Sequence, residues 1–251
     1  PYLKNKWKPG RALEHTELLK DYTRKLGLLQ PDLVLWPEAS TPRGMGRDRS
    51  WIEPLANELG QDLLIGAVTK LDGASYNSVC LVRPDEGLAP DVYSKRILVP
   101  FGEYVPTGFS WIPGLEKLVG PIGRFKAGDQ PVLHPVRANG RSLQAGALIC
   151  YEDIFPQLPR STILAGADFL FVSTNNAWFG EEGCAEQHAA HSVLRAIENR
   201  RPVIRCGNAG WSGWIDERGN RRSIMLDENG SDTDPMAPTP TLAELLVLRN
   251  A

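Results

Sequence analysis

Short apolar runs, each bounded by Gly, Pro or polar residues, punctuate this chain and predict alternating strands and helices. Leu33-Val34-Leu35-Trp36 is apolar at every position, the mark of a strand covered on both faces. Comparable runs predict strands over Leu63–Thr69, Tyr76–Arg83, Leu143–Ile149, Phe169–Ser173 and Val203–Cys206, with a shorter one over Asp91–Lys95. Leu18, Tyr22 and Leu26 recur at helical spacing and predict an amphipathic helix from Arg11 to Leu26, with Gly27 as its stop. Further helices are expected over Trp51–Leu59, ended by Gly60, over Phe155–Ala165 and over Ala185–Asn199. Trp211–Ile215 and Ser223–Leu226 read as a closing antiparallel pair around the turn Glu217-Arg218-Gly219-Asn220. The order is that of an α/β chain with extra antiparallel pairs.

Two stretches break the pattern. From Val99 to Gly128 there are six glycines and four prolines and little periodicity. A long loop inside a compact domain is usually functional. Phe101, Tyr104, Phe109, Trp111, Ile112 and Leu115 load this one with apolar surface, which suits either packing on its own domain or an apolar lid that meets lipid. After Gly230 the composition turns to Ser, Asp, Thr and Pro, a linker signature, with a short amphipathic piece at Leu242–Leu248.

Composition narrows the possibilities. The 251 residues carry a net charge of −2, so there is no global electrostatic reason to bind nucleic acid. The longest apolar runs, such as Ala145–Cys150, are far shorter than the roughly 20 residues that span a bilayer. The four cysteines form no C-x-x-C pair and only four histidines are present. Neither a metal site nor a disulfide framework is therefore expected.

Three reactive residues follow strand runs: Glu38 after Leu-Val-Leu-Trp-Pro, Lys95 after Val-Tyr-Ser, and Cys150 after Ala-Leu-Ile. Sheet ends hold side chains rigid yet reachable. Read singly, Cys150 also fits a buried structural thiol, Glu38 a loop acid and Lys95 a solvated surface residue. Together a thiol, a carboxylate base and a fixed cation make a complete acyl-transfer set.

In that order, Trp36-Pro37-Glu38, Lys95 and Cys150-Tyr151-Glu152 resemble the Glu–Lys–Cys signature of the nitrilase superfamily. The segment Lys95-Arg96-Ile97-Leu98-Val99-Pro100-Phe101-Gly102-Glu103-Tyr104-Val105-Pro106 is similar to that of its apolipoprotein N-acyltransferase family. Ser173–Gly180, Gln187-His188, Arg195–Pro202 and Asn208–Ser212 fit the same pattern. The resemblance implies an α/β fold, a nitrilase-like αββα sandwich over residues 1–230, with 231–251 as linker or tail. It implies Cys150 as nucleophile, Glu38 as general base and Lys95 as oxyanion stabiliser, supported by Glu103 and Glu152, with Tyr151, Asn175 and Trp178 in the substrate pocket. It implies no cofactor and no metal. It also implies a phospholipid acyl donor, a lipoprotein acceptor, and a place on the periplasmic side of the bacterial inner membrane through segments outside this chain. The family's first strand and its membrane helices are expected to be absent here. A soluble amidase or carbamoylase using the same three residues, in the cytoplasm, is the alternative.

Overall fold

The computed structural model describes residues 10–106, 125–138, 140–176, 184–208, 211–223 and 246–248. Two sheets stack face to face. The first runs β12 (Leu246–Leu248), β1 (Leu33–Trp36), β2 (Asp62–Leu71), β3 (Ala74–Arg83) and β4 (Gly87–Leu88), with β5 (Tyr93–Ser94) also on β3. The second runs β11 (Arg221–Ser223), β10 (Gly213–Ile215), β9 (Val203–Asn208), β8 (Phe169–Asn175), β7 (Arg141–Ile149) and β6 (Leu133–Ala138). Helices α1 (Arg11–Gly27) and α2 (Met45–Leu59) cover the first sheet, and α3 (Gln157–Leu164) and α4 (Cys184–Asn199) the second. This is the expected αββα sandwich.

Strand parity explains the layering. In β1, Leu33 and Leu35 face the other sheet, where they join Leu64, Val79, Ala147, Ile149 and Phe171. Val34 and Trp36 face the helices, with Ile52, Leu55 and Leu26, and the Trp36 ring stacks on Trp51 at 5.7 Å. All four residues are fully buried, which is why the run has no polar alternation.

Several element bounds differ from the sequence expectation. Helix α2 begins at Met45, ahead of its apolar stripe, because Asp48 anchors the first turn by accepting from the Arg43 N–H at 2.7 Å. Gly60 does end that helix in the left-handed region, at φ 66°. Gly27 does not stop α1 through a left-handed cap; it is the last helical residue, where a side chain would collide with Leu59. Strand β6 was not expected, since Pro135 interrupts it; it lies at the sheet edge, where a missing N–H is tolerated. Helix α4 begins at Cys184, one residue ahead of the start expected at Ala185. Strand β11 spans Arg221–Ser223, two residues ahead of the start expected at Ser223, and Arg221 lies 3.7 Å from Glu186. Leu246–Leu248, expected as an amphipathic piece of the tail, pairs antiparallel with Leu33–Leu35 at the edge of the first sheet.

Gly66 on β2 marks the tightest approach near the end of β1. A Cβ there would lie 2.3 Å from the Pro37 carbonyl oxygen and 2.5 Å from Ser173 Oγ. Gly66→Ala is expected to cost about 1–3 kcal/mol, as overpacking does. Because Pro37 precedes Glu38, activity should fall further than the lowered thermal midpoint explains; denaturation and turnover measured on one sample check this.

Candidate active site

Each of the three expected residues sits where a strand gives way. Glu38 follows β1, and Ala39 next to it has φ 51°. Lys95 follows β5 and is held by backbone bonds on both sides, its N–H to the Asn77 carbonyl at 2.8 Å and its carbonyl to the Gly128 N–H at 2.9 Å. Cys150 ends β7 at φ 55° and opens a 3-10 turn, Cys150–Ile154. Left-handed backbone at a cysteine is uncommon. It turns the thiol out of the strand line, as at a nucleophile elbow.

The structure brings Glu38, Lys95 and Cys150 together with Glu103. Lys95 Nζ lies 3.0 Å from Glu103 Oε1 and 3.7 Å from Glu38 Oε1, and its side chain is almost fully buried. The ammonium also sits 5.2 Å from the centre of the Tyr151 ring. Glu103 is fixed in turn by the Val99 N–H, 2.8 Å from Oε2. Asn77, which the sequence reading did not single out, donates to Glu38 Oε1 at 2.7 Å and to Glu103 Oε1 at 3.1 Å. It joins the two carboxylates on either side of the lysine. The signal that would have found it is an amide that opens the buried run of β3, just ahead of Val79-Cys80-Leu81-Val82.

Burial and charge set the protonation states. Burial raises the Glu38 pKa above the usual carboxylate range, Lys95 and the Asn77 amide oppose this, and Glu103 adds to it. Burial first, then Glu38, pushes the Cys150 thiol up to about 12, against Lys95 and the Tyr151 backbone N–H. Burial works against the Lys95 ammonium, but Cys150, Glu38 and Glu103 outweigh it and raise its pKa. The resting site is thus a protonated thiol beside a base and a permanent cation. Such a thiol must lose its proton as it attacks, and Glu38 is the acceptor placed to take it.

Glu152 does a different job. Its buried carboxylate accepts from Tyr93 Oη at 2.7 Å, the Ile149 N–H at 2.8 Å, the Arg96 N–H at 2.7 Å and the Ile97 N–H at 3.1 Å. It ties the end of β7 to the segment after Lys95. Glu152→Gln puts an amide NH2 where two donors converge, whichever oxygen it replaces. A lowered thermal midpoint, equivalent to about 1–3 kcal/mol, is expected from one unmade buried bond; a midpoint unchanged within error would show the four bonds to be dispensable.

Of the pocket residues, Tyr151 is anchored through its hydroxyl to the Leu98 carbonyl at 2.7 Å and by an edge-on contact with Phe155. Asn175 is the last, buried residue of β8, paired with Asn208. Trp178 lies outside the described residues. So does most of the expected lid, including Phe109, Trp111, Ile112 and Leu115. Its described ends are irregular: Phe101 is exposed with φ 60°, while Phe125 is buried and its N–H donates to the Glu103 carbonyl at 2.9 Å. A cavity of about 1040 Å³ is lined by Arg43, Met45, Thr69, Tyr76, Ser94 and Lys126 among others, on the helix-covered face of the first sheet, and none of the three reactive residues lines it. Cys80 and Cys206 are buried core thiols.

The carbon-nitrogen hydrolase family model matches residues 9–233. The chain belongs to the carbon-nitrogen hydrolase family. Within that family it is 37% identical over 87% of its length to the apolipoprotein N-acyltransferase of Geobacter metallireducens, covering 42% of that protein. It is 34% identical over 93% of its length to the one from Methylococcus capsulatus, covering 46%. The chain thus spans less than half the length of these relatives. Among solved carbon-nitrogen hydrolase structures, an amidase from Nesterenkonia sp. AN1, captured with a covalent addition at its active-site cysteine, superposes with a TM-score of 0.65 at 19% identity, over 85% of this chain and 80% of its own. An enzyme from Helicobacter pylori G27 gives 0.59 at 20% identity, over 85% and 80%. These likenesses establish the fold.

Proposed function

We propose that this domain transfers an acyl chain from a phospholipid to the N-terminal amine of a diacylglyceryl-cysteine lipoprotein through a thioester on Cys150. Glu38 takes the thiol proton as sulfur attacks the ester carbonyl. The tetrahedral oxyanion is met by the Lys95 ammonium and the Tyr151 backbone N–H. The carbon–oxygen bond breaks, and the proton held by Glu38 goes to the departing lyso-lipid alkoxide. The acceptor amine then attacks the thioester, loses a proton to Glu38, and the thiolate leaves and recovers that proton. Glu103 and Asn77 keep Lys95 and Glu38 in register, and Tyr151 and Asn175, with Trp178, border the substrate. No cofactor or metal is required by these steps.

The observation that carries this reading is the match to proteins named apolipoprotein N-acyltransferase at 31–37% identity, on a chain whose sandwich gathers Glu38, Lys95 and Cys150. The same reading places the domain at the periplasmic side of the inner membrane. Among the described residues no helix is long and apolar enough to cross a bilayer, so membrane contact would come through other segments. Intact-mass measurement of the full-length protein incubated with phospholipid tests the proposal. The expected result is one acyl adduct on Cys150, discharged by a lipoprotein amine. Discharge by water at the same rate as by the amine would favour an amidase-like hydrolase instead.

A further inference from the structure

Beneath Cys150 lies a buried polar cluster that these steps do not use. Asp153 and Arg205 are both fully buried and paired, with Arg205 Nη1 2.6 Å from Asp153 Oδ2. Ser192 shares that arginine nitrogen, 2.6 Å from its Oγ. The other carboxylate oxygen of Asp153 faces His188 Nε2 at 2.9 Å, and the same Nε2 lies 3.0 Å from the Cys150 carbonyl oxygen. Both neighbours are acceptors, so Nε2 carries the ring hydrogen and shares it between them; Nδ1 is then the acceptor, and it lies 3.1 Å from the side-chain amide of Asn176, whose NH2 group donates when it takes that position. His188 and Ser192 stand one helical turn apart on α4 and so share a face.

We propose that His188 is a positioning residue for the nucleophile: anchored by Asp153, its Nε2–H holds the Cys150 carbonyl and with it the left-handed backbone that presents the thiol. The strand ladder cannot do this, because the β7–β8 pairing ends at Ile149 and Ser173. A non-glycine residue in the left-handed region persists only when its surroundings over-determine it. The anchor is itself fixed. Burial would raise the Asp153 pKa, but Arg205, His188 and Ser192 outweigh it and hold the carboxyl below its usual range. If the clamp is lost, Cys150 relaxes and its sulfur leaves Lys95 and the Tyr151 N–H, the two groups that favour thiolate, while burial, Glu38 and Glu103 still oppose it.

The inference rests on Cys150 being the nucleophile, and iodoacetamide reads that thiol whatever the acyl donor. Three variants of the full-length protein separate the outcomes. Gln places an amide N–H near the Nε2 position, Asn reaches only the Nδ1 position, and Leu has no donor. His188→Leu and His188→Asn are expected to slow Cys150 alkylation roughly 10- to 100-fold, the usual cost of losing an orienting partner. They should also move its pH midpoint upward, with KM for the donor unchanged. His188→Gln should recover most of the rate. Alkylation of His188→Asn at the rate and pH midpoint of the wild type would overturn the clamp. So would equal slowing of Gln and Asn with equal loss of thermal midpoint, which would mark packing alone; this comparison stands even if His188→Leu does not fold. Wild-type protein that alkylates at Cys150 but gains no acyl adduct from phospholipid would count against the acyltransferase reading and leave the clamp intact.

Discussion

Cys150→Ser is expected to abolish thioester formation while the sandwich stays folded. Serine adopts the same backbone and nearly the same volume, but Glu38 faces an alkoxide-forming hydroxyl that is far harder to ionise than a thiol. Loss of a covalent nucleophile costs on the order of 10⁶ in rate in hydrolases that work through an acyl-enzyme, so turnover should fall below detection. The contrast with the other cysteines is the sharper test. Cys80 and Cys206 are fully buried between packed strands; the Cys206 Sγ lies 3.6 Å from the Leu35 carbonyl oxygen, and burial pushes the Cys80 thiol up to about 12. Their replacement by Ala should lower stability and leave the adduct on Cys150 in place. Peptide mapping that finds the acyl group on Cys80, Cys184 or Cys206 would overturn the assignment.

Removing the base or the cation should have the next largest effect. Glu38→Gln keeps an acceptor oxygen but cannot take the thiol proton, and a general base contributes about 10²–10⁴ in rate. Lys95→Met keeps the length of the side chain and removes the oxyanion's partner, worth about 10²–10³. It also leaves Glu38 and Glu103 facing each other without the ammonium between them, so Glu38 should become a weaker acid still. The pH dependence follows from the sign of the shift. Glu38 acts as base only when ionised, and its pKa is raised. The acid limb of thioester formation should therefore lie at a higher pH than an ordinary glutamate would give. A buried carboxylate with a raised pKa is stabilised by protonation, so Glu38 itself does not unfold the domain across that limb. Circular dichroism should stay constant while the rate falls, and Glu38→Gln should lose the limb. Wild-type rates of Cys150 acylation in either variant would show that residue's role to be wrong.

The elements nearest the three reactive residues were the most legible. β1 has the expected bounds because four consecutive apolar residues closed by Pro-Glu admit little else. The 3.6-residue stripe of α1 was equally plain. β6 was hidden because its burial follows from its position at a sheet edge and its sequence, Leu-His-Pro-Val-Arg-Ala, does not alternate cleanly. The pairing of Leu246–Leu248 with β1 was hidden for a different reason: the two segments are far apart in the chain, and no local pattern records which distant strand will occupy an open edge.

Within the site the same division holds. Glu38, Lys95 and Cys150 could be picked out from sequence because each is a reactive residue directly after a strand-forming run, and strand ends are where such side chains become reachable. Their order and neighbours were enough for the family. What the linear order could not contain is the partnership of residues brought together across the sandwich. Asn77 reaches Glu38 and Glu103, Glu152 gathers donors from Tyr93, Arg96, Ile97 and Ile149, and His188 on α4 meets the carbonyl of Cys150. Hydrophobic periodicity is a property of neighbours in the chain, so it specifies elements and their buried faces. A hydrogen bond between residues 38 positions apart depends on how the layers stack and in what register, and that was decided only by the packing of the two sheets and their helices.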